Sequence, residues 1–574
     1  MIRTDAARSK SLRRRSTALA CAALGSLLSG CGNSGIDART VLFISIDTAR
    51  ADTVRFDDPS TMPVLSRVAE RGVIFDEAVT GTSWTLPSHV QMFTGQTPSV
   101  HGVNFDDVRI DPRTPTLAQL FDEDGWFTAG FYSGWYLVKD YGFDRGFDVY
   151  ENGMPGGNAL ERELRAASKI EDLAERSIEM DQIWVRADKQ SHQAVSSPTV
   201  VDKAIGAIDA AEEEDLFLFL HFFDPHYDYV PPPDIAKRFD PDYTGSIDGR
   251  NFYHNKAIYD ADRGGRRISD RDLEHVKALY RGEVFFTDRY IERVLDHLDE
   301  VGRLDETFVV VVGDHGEEFF EHGNRGHRAT LFDEQLRVPM LMVPPKSLAG
   351  AERGRTEAAQ TSLSDVAPTL LEYANLEGDH ATGRSLVGAL RGEALESRPE
   401  LSYLKPFPDI GVEGKGDERG VTGIYHHFLE TWRLPDSKFT RHFVYRTAEK
   451  RLITKEAWFV DLAADPGEKK LIGDPDDPRF QSAWERMEEL NAQSRAFAGQ
   501  LETASVGERV SLASDMLGGV LEELGYADSA AAGAEPDASL PNASYELPWE
   551  LGPPPPISYA SYLEDLERRA SGGR

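Results

Sequence analysis

Four stretches of this chain, "TVLFISID" (40–47), "WFTAGFYS" (126–133), "DLFLFLHFFD" (215–224) and "TFVVVVGDHG" (307–316), are nearly unbroken runs of aliphatic, β-branched and aromatic residues. A strand that is apolar on both sides has no face to turn to water, so each run has to be covered twice. Helical patterns separate the runs, "TPTLAQLFDEDG" (114–125) and "RGEVFFTDRYIERVLDHLDEVG" (281–302) among them. The alternation predicts an α/β fold, a mostly parallel central sheet flanked by helices. Ligands of such sheets bind beyond the carboxyl ends of the strands. Three of the four runs end in residues able to hold a metal: Asp47, then Asp224 to His226, then Asp314-His315.

The sheet and its helices are expected over 40–395. A smaller α+β domain is expected over 396–500, from short strand-like pieces such as "FVYRTAEKRLITKEAWFVDLAADPGE" and the helical "SAWERMEELNAQSRAFAG". A tail over 501–574 starts with a helical pattern and becomes rich in Ala, Gly and Pro over 528–556, the composition of a partly disordered segment. Polar stretches near 151–200 and 234–275 have the character of long loops, where specificity and lids reside. The 574 residues carry 63 Lys and Arg against 97 Asp and Glu, a net charge of −34. Such a surface repels nucleic acid, so no nucleic-acid partner is expected. An anionic substrate would approach it only where a bound cation reverses the local sign.

The first thirty residues are a separate matter. Arg3, Arg8, Lys10 and Arg13-Arg14-Arg15 precede the apolar "TALACAALGSLLSG" (17–30), too short to cross a bilayer and suited to an export signal. The run ends in Leu28-Ser29-Gly30-Cys31, which resembles the lipobox of bacterial lipoproteins. That resemblance implies a signal peptide over 1–30 and a linker over 31–39. It also implies lipidation of Cys31 and a place in the cell envelope, periplasm or outer surface, with the membrane reached through the lipid alone. Cys21 lies inside the signal, so no pair of thiols is left for a disulfide.

"SWTLPSHVQMFTG" (83–95) places a lone Thr beside a Pro ready to start a helix. With Pro87 at the first helical position, Thr85 sits at or just before the N-terminus, where unpaired N–H groups and the dipole favour an anion. The plainer reading is a cap by Thr85 or Ser83. Elsewhere, Asp47, Asp314 and His315 are ligand types suited to Mn²⁺, Zn²⁺, Ca²⁺ or Mg²⁺. His322 and His327 follow Asp314-His315 within one short loop, a density of His that packing alone seldom requires.

Taken together, "VLFISIDTARAD", "TLPSHVQMFTGQTPSVHG", "FFDPHYDYVPP", "DHGEEFFEHGNRGH" with "LFDEQLRVPMLMVP", and "WFVDLAADPGE" resemble, in this order, the sulfatase family of the alkaline-phosphatase superfamily. The resemblance spans roughly Thr40 to Glu468. It implies an α/β fold with a smaller C-terminal domain and a divalent metal beside a nucleophile at a helix start. Asp47, Asp314 and His315 match the family's metal ligands, and Thr85 falls at the nucleophile position. Departures are equally plain. True sulfatases carry Cys-x-Pro-Ser-Arg, whose Cys becomes formylglycine, where this chain reads Thr85-Leu86-Pro87-Ser88-His89. Thr48 replaces the second Asp of the family's pair, Gly134-Trp135-Tyr136 replaces its Lys-x-His, and Arg328 replaces a later Lys.

This altered set looks like the Thr-dependent branches of the superfamily, in which the hydroxyl is itself a metal ligand and attacks phosphorus. The expected enzyme is a metal-dependent hydrolase or transferase of phosphate, phosphonate or sulfate esters, with phospho-esters favoured. Its substrate is an anionic ester, with an envelope glycan or lipid head group as the carrier. Asp47, Thr85, Asp314 and His315 hold one ion, and Asp224, His226 and His327 are candidates for a second. His226 and His327 are also candidate catalytic groups, and His89 and Arg328 candidate substrate contacts. Two alternatives stand beside this reading: a sulfuric ester hydrolase without formylglycine, and a non-catalytic lipoprotein that binds envelope glycans.

Overall fold

The computed structural model describes residues 38–501 except 106–107, 168, 251, 253–257, 261–264, 407–408, 414–419 and 447–450. Between 171 and 194 it describes only Glu179, Gln182, Ile183 and Arg186, and beyond 501 only Tyr562 and Leu563. The signal, Cys31, the helical pattern after Leu501 and the 528–556 segment therefore lie outside the described residues. Among those described, no helix is long and apolar enough to cross a membrane.

The four apolar runs are neighbours in one eight-stranded sheet. Its strands are β1 (Thr40–Ile46), β2 (Val73–Phe75), β3 (Phe127–Tyr132), β4 (Val149–Asn152), β5 (Leu216–Phe222), β6 (Thr307–Gly313), β7 (Met340–Val343) and β8 (Arg355–Glu357), in the order β8-β2-β7-β6-β1-β5-β3-β4. All pairs are parallel except those of β7, which runs against β6 and β2. Every residue of β1, β5 and β6 is buried, as their two-sided apolar sequences require. Val41, Phe43, Phe217, Phe219, Val310 and Val312 pack on one face with Leu86, Val90 and Phe93 of helix α1 (Thr85–Thr94). Leu42, Ile44, Leu218, Leu220 and Val311 pack on the other with α2 (Ser197–Ala211) and α3 (Asp270–Glu300). At about 1.5–3 kcal/mol for each fully buried large apolar side chain, this double layer dominates the stability.

Register then fixes the site. Ile46 of β1 lies opposite both Phe222 of β5 and Gly313 of β6. Asp47 and Asp314 are the next residues of their strands, so the two carboxylates emerge side by side at the carboxyl end of the sheet. One residue earlier Ser45 lies opposite His221, and alternation puts both on the face covered by α1.

A second, antiparallel sheet follows: β9 (Glu400–Leu404), β10 (Asp409–Glu413), β11 (Gly420–Leu434), β12 (Ser437–Arg446) and β13 (Arg451–Asp461), with helix α4 (Pro478–Ala498) behind it. Phe439, Phe480, Trp484 and Met487 form its core, and Tyr562 stacks on Trp484, ring centroids 4.8 Å apart. The junction between the two sheets is a buried ion cluster. Arg433 donates from Nε and Nη2 to the Asp333 carboxylate (3.0 and 2.8 Å) and from Nη2 to Glu77 (2.8 Å). Lys438 bridges Asp333 and Glu468, 3.0 Å each, and Glu468 accepts from the Asp333 N–H at 2.7 Å. Despite burial, Lys438 and Arg433 hold the Asp333 carboxyl well below the usual range. Replacing one partner would strand the others without water. Arg433→Met is therefore expected to lower unfolding free energy by about 3–5 kcal/mol in a denaturant melt.

Candidate metal centre

Helix α1 begins at Thr85, two residues before the position expected from Pro87, because Trp84 is extended (φ −159°, ψ 158°) and serves as the N-cap without a side-chain bond. Neither capping reading survives the geometry. Ser83 Oγ is buried with no hydrogen-bond partner, and Thr85 Oγ1 lies 3.3 Å from His315 Nε2. Ser88, one turn along, donates to the Asp314 carbonyl at 2.7 Å and ties the helix start to the strand end.

Asp47, Asp314 and His315, all wholly buried, present one donor atom each within 4.8 Å of one another. Asp314 divides its oxygens. Oδ1 accepts from the N–H groups of Thr48 (3.1 Å) and His315 (2.8 Å), whereas Oδ2 is buried with no donor. Neither oxygen of Asp47 has a hydrogen-bond partner. The ring of His315 donates from Nδ1 to the Gly316 carbonyl at 3.0 Å, which leaves the Nε2 lone pair aimed inward. From there it is 3.4 Å to Asp314 Oδ2 and 3.7 Å to Asp47 Oδ1. Three buried carboxylate oxygens lacking donors, an inward imidazole lone pair and a hydroxyl form a set that a divalent cation completes. Without one, burial pushes both Asp carboxyls well above their usual range, aided by the charge of Glu317 at Asp47 and of Asp47 at Asp314, and burial keeps His315 neutral.

Three further imidazoles were expected at the centre, and they occupy different stations. His89 is a correction. It was expected to touch substrate, but it is wholly buried beneath the carboxylates. Its Nδ1 faces the Thr85 carbonyl at 2.8 Å and its Nε2 the Ser45 hydroxyl at 2.9 Å, so both nitrogens are committed. His327 and His226 continue outward from His315, ring centroids 4.6 and then 5.0 Å apart. Burial and the neighbouring Arg328 push His327 down to about 3, so it stays neutral. His226 is half-buried and turns Nδ1 to the Tyr227 carbonyl at 2.8 Å. Asp224, the third expected donor of a second ion, turns away from them. Its Oδ2 accepts from Ser197 N (3.0 Å) and Ser197 Oγ (2.5 Å) at the start of α2. Among the described residues, no three donors converge around His226 and His327. His322 lies apart, stacked on Phe332 at 3.5 Å.

Arg328 lies over Trp84, its guanidinium carbon 3.9 Å from the ring centroid, and Nη1 donates to the Tyr136 hydroxyl at 3.1 Å. It therefore forms one group with Trp84, the residue before Thr85, and with Tyr136, which lies in the Gly134-Trp135-Tyr136 stretch compared above with Lys-x-His. A flat, stacked guanidinium has no ammonium equivalent. Arg328→Lys is expected to raise KM about 10–100-fold, the worth of one or two charged hydrogen bonds, with kcat much less changed. Steady-state kinetics would check it.

Two residues at the centre went unnoticed in the sequence, His221 and Glu317. His221 Nε2 lies 3.3 Å from Asp47 Oδ2. A His inside the otherwise apolar "LFLFLHFF" was the available signal. Glu317 is wholly buried, accepts from the Tyr229 hydroxyl and lies 3.6 Å from His327 Nδ1. Burial pushes its carboxyl up to about 8. Nothing in "DHGEEFF" marks it out from Glu318.

A family model described as Sulfatase matches residues 39–376. Among curated proteins, the chain is 27% identical over 305 residues to the multifunctional alkaline phosphatase superfamily protein PehA of Trinickia caryophylli. That match covers 48% of this chain and 55% of PehA. An arylsulfatase of Clostridium perfringens is 25% identical over 386 residues, 60% of this chain and 77% of the other. The crystal structure of a phosphonate monoester hydrolase of Agrobacterium radiobacter superposes with a TM-score of 0.57 at 19% identity, over 79% of this chain and 96% of that one. At that identity the superposition speaks for the fold.

Proposed function

Because the chain belongs to the sulfatase family of ester-bond hydrolases, we propose that it cleaves or transfers anionic esters with Thr85 as the nucleophile, and that phosphorus esters are preferred. The observation that carries this reading is Thr85 Oγ1 at 3.3 Å from His315 Nε2, beside carboxylate oxygens without donors, in the first turn of a helix. Asp47, Asp314, His315 and Thr85 would hold a divalent ion, which supplies charge that lowers the pKa of the hydroxyl and offsets charge on the ester. Thr85 Oγ1 gives up its proton to water and forms a bond to phosphorus as the bond to the leaving alcohol breaks. The N–H groups of the first turn of α1 and the guanidinium of Arg328 hold the equatorial oxygens. His226, in contact with solvent, exchanges protons and delivers one to the leaving oxygen. Neutral His327 orients the ester. Water or an acceptor hydroxyl then releases the covalent intermediate.

The phosphorus preference is supported by the absence of a formylglycine precursor at position 85 and by the likeness to PehA, a multifunctional alkaline phosphatase superfamily protein. The likeness to an arylsulfatase keeps sulfate in the comparison. The test is a panel of aryl phosphate, phosphodiester, phosphonate and sulfate esters with added Mn²⁺, Zn²⁺ or Ca²⁺. Phosphonate or phosphodiester turnover should lead. Sulfate as the best substrate would overturn the preference, and purified protein without a stoichiometric ion would favour the glycan-binding alternative. The same proposal places the enzyme in the cell envelope, anchored through a lipid on Cys31 and acting on an envelope glycan or lipid head group. Labelled palmitate should enter the wild-type chain, and equal labelling of Cys31→Ser would refute the anchor.

A further inference from the structure

His221 is a side chain at the centre that the proposed function leaves without a task. It sits at the carboxyl end of β5, wholly buried, where a charged or unpaired polar group is costly. Its surroundings decide what it can do. The backbone N–H of Ser133, the residue after β3, donates to Nδ1 at 3.3 Å, while the Ser133 hydroxyl donates to the His221 carbonyl at 3.1 Å. A backbone amide is a donor only, so Nδ1 must carry a lone pair, and the single ring proton resides on Nε2. That nitrogen has no other hydrogen-bond partner and faces Asp47 Oδ2 at 3.3 Å. On the far side the ring meets His89 edge to face, centroids 4.9 Å apart at 83°. Swinging it away would cost that contact and the Ser133 bond together.

His221 and His315 are thus opposite tautomers. A backbone carbonyl claims Nδ1–H of His315 and leaves its Nε2 open for coordination. A backbone amide claims Nδ1 of His221 and leaves its Nε2 as a donor. The two carboxylates then match each other. Asp314 has one oxygen held by two backbone N–H groups and one open. Asp47 has Oδ2 facing His221 Nε2 at 3.3 Å and Oδ1 facing His315 Nε2 at 3.7 Å.

We propose that His221 is a positioning residue, a neutral N–H donor that holds Asp47 Oδ2 so that Oδ1 alone is offered to the cation. It does not itself bind the ion. This does for Asp47 what backbone amides do for Asp314, and it adds no charge to the site. The inference rests on the metal reading above, and it goes further by separating ligand from support among histidines at one centre. Hydrogen bonds of this kind to a ligand typically control metal affinity by about 10–100-fold.

The test is Co²⁺ binding by the full chain, followed by chelator competition for affinity and by the visible spectrum for the donor set. In His221→Leu, of similar bulk and without the donor, affinity should fall about 10–100-fold. At saturation its Co²⁺ bands should keep the position and intensity of wild type, since no coordinating nitrogen is lost. His221→Gln can place an amide N–H near the former Nε2, and it should restore most of the affinity. A shifted or weakened spectrum in His221→Leu would make His221 a ligand and overturn the proposal. Unchanged affinity in His221→Leu, or no recovery in a His221→Gln chain that melts like wild type, would overturn it as well. A wild-type chain that binds no Co²⁺, Zn²⁺ or Mn²⁺ would instead bring down the metal reading beneath it.

Discussion

Thr85→Ala should reduce kcat/KM by about 10⁴-fold or more, the scale seen when a nucleophile is removed from an assembled site. The fold should be untouched, because Thr85 contributes no cap and its methyl group is a small part of the buried helix start. Metal affinity should fall far less than activity, since Asp47, Asp314 and His315 remain in place. Thr85→Ser should retain measurable turnover, as it keeps the hydroxyl and loses only the methyl that restrains its rotamer. A rapid-quench experiment on wild type should trap the label of a phosphorus ester on residue 85. Near-normal turnover by purified Thr85→Ala would end the nucleophile assignment.

Removing the ion should be nearly as severe. Chelator treatment is expected to lower turnover by about 10³-fold or more, given several kcal/mol of transition-state stabilisation from one positioned ion. Zn²⁺ or Mn²⁺ should restore it better than Ca²⁺. The centre offers three oxygens (Asp47 Oδ1, Asp314 Oδ2, Thr85 Oγ1) and one imidazole nitrogen, whereas Ca²⁺ seeks about 6–8 oxygens. Full recovery with Ca²⁺ alone would contradict this donor count.

The same carboxylates give stability a pH dependence with a definite sign. Burial raises Asp47 and Asp314 well above the usual range and takes Glu317 to about 8. A raised carboxyl keeps its proton in the folded chain after the unfolded chain has lost it. Between the ordinary carboxylate pKa, about 4, and the raised folded value, the unfolded state is therefore favoured as pH rises. The metal-free protein should lose thermal stability from about pH 5 to 8. A cation replaces those protons, so Zn²⁺ should raise Tm more at pH 8 than at pH 5. Melts with and without metal at both pH values would check it. An equal rise at the two would mean that the ion binds elsewhere.

Much of this architecture was legible because the strands announce themselves. Runs such as "TFVVVVGD" admit only a doubly covered position, and their terminal carboxylates fall where sheets of this type hold ligands. What escaped notice depends on neighbours far away in the chain. His89 is four residues from Thr85, but only the register of β1 reveals that Ser45 sits under it and occupies its Nε2. Asp224 ends a strand as Asp47 does, yet the start of α2 reaches back to claim it. His221 and Glu317 take their roles from a backbone amide at 133 and a tyrosine at 229. Pro87 misled for a local reason: it fits the third helical residue as readily as the first, because the opening N–H groups of a helix lack partners anyway.

The ion cluster between the two sheets also bears on engineering. Asp333 stands five residues beyond Arg328, on the segment that carries both His327 and that guanidinium. Its partners Arg433 and Lys438 belong to the other sheet. A chimera that transplants a different carboxyl-terminal module onto 39–376 would have to bring equivalent cations at both positions. Otherwise the loop that carries His327 and Arg328 would lose its far anchorage, and both side chains would shift even with every residue around Thr85 preserved.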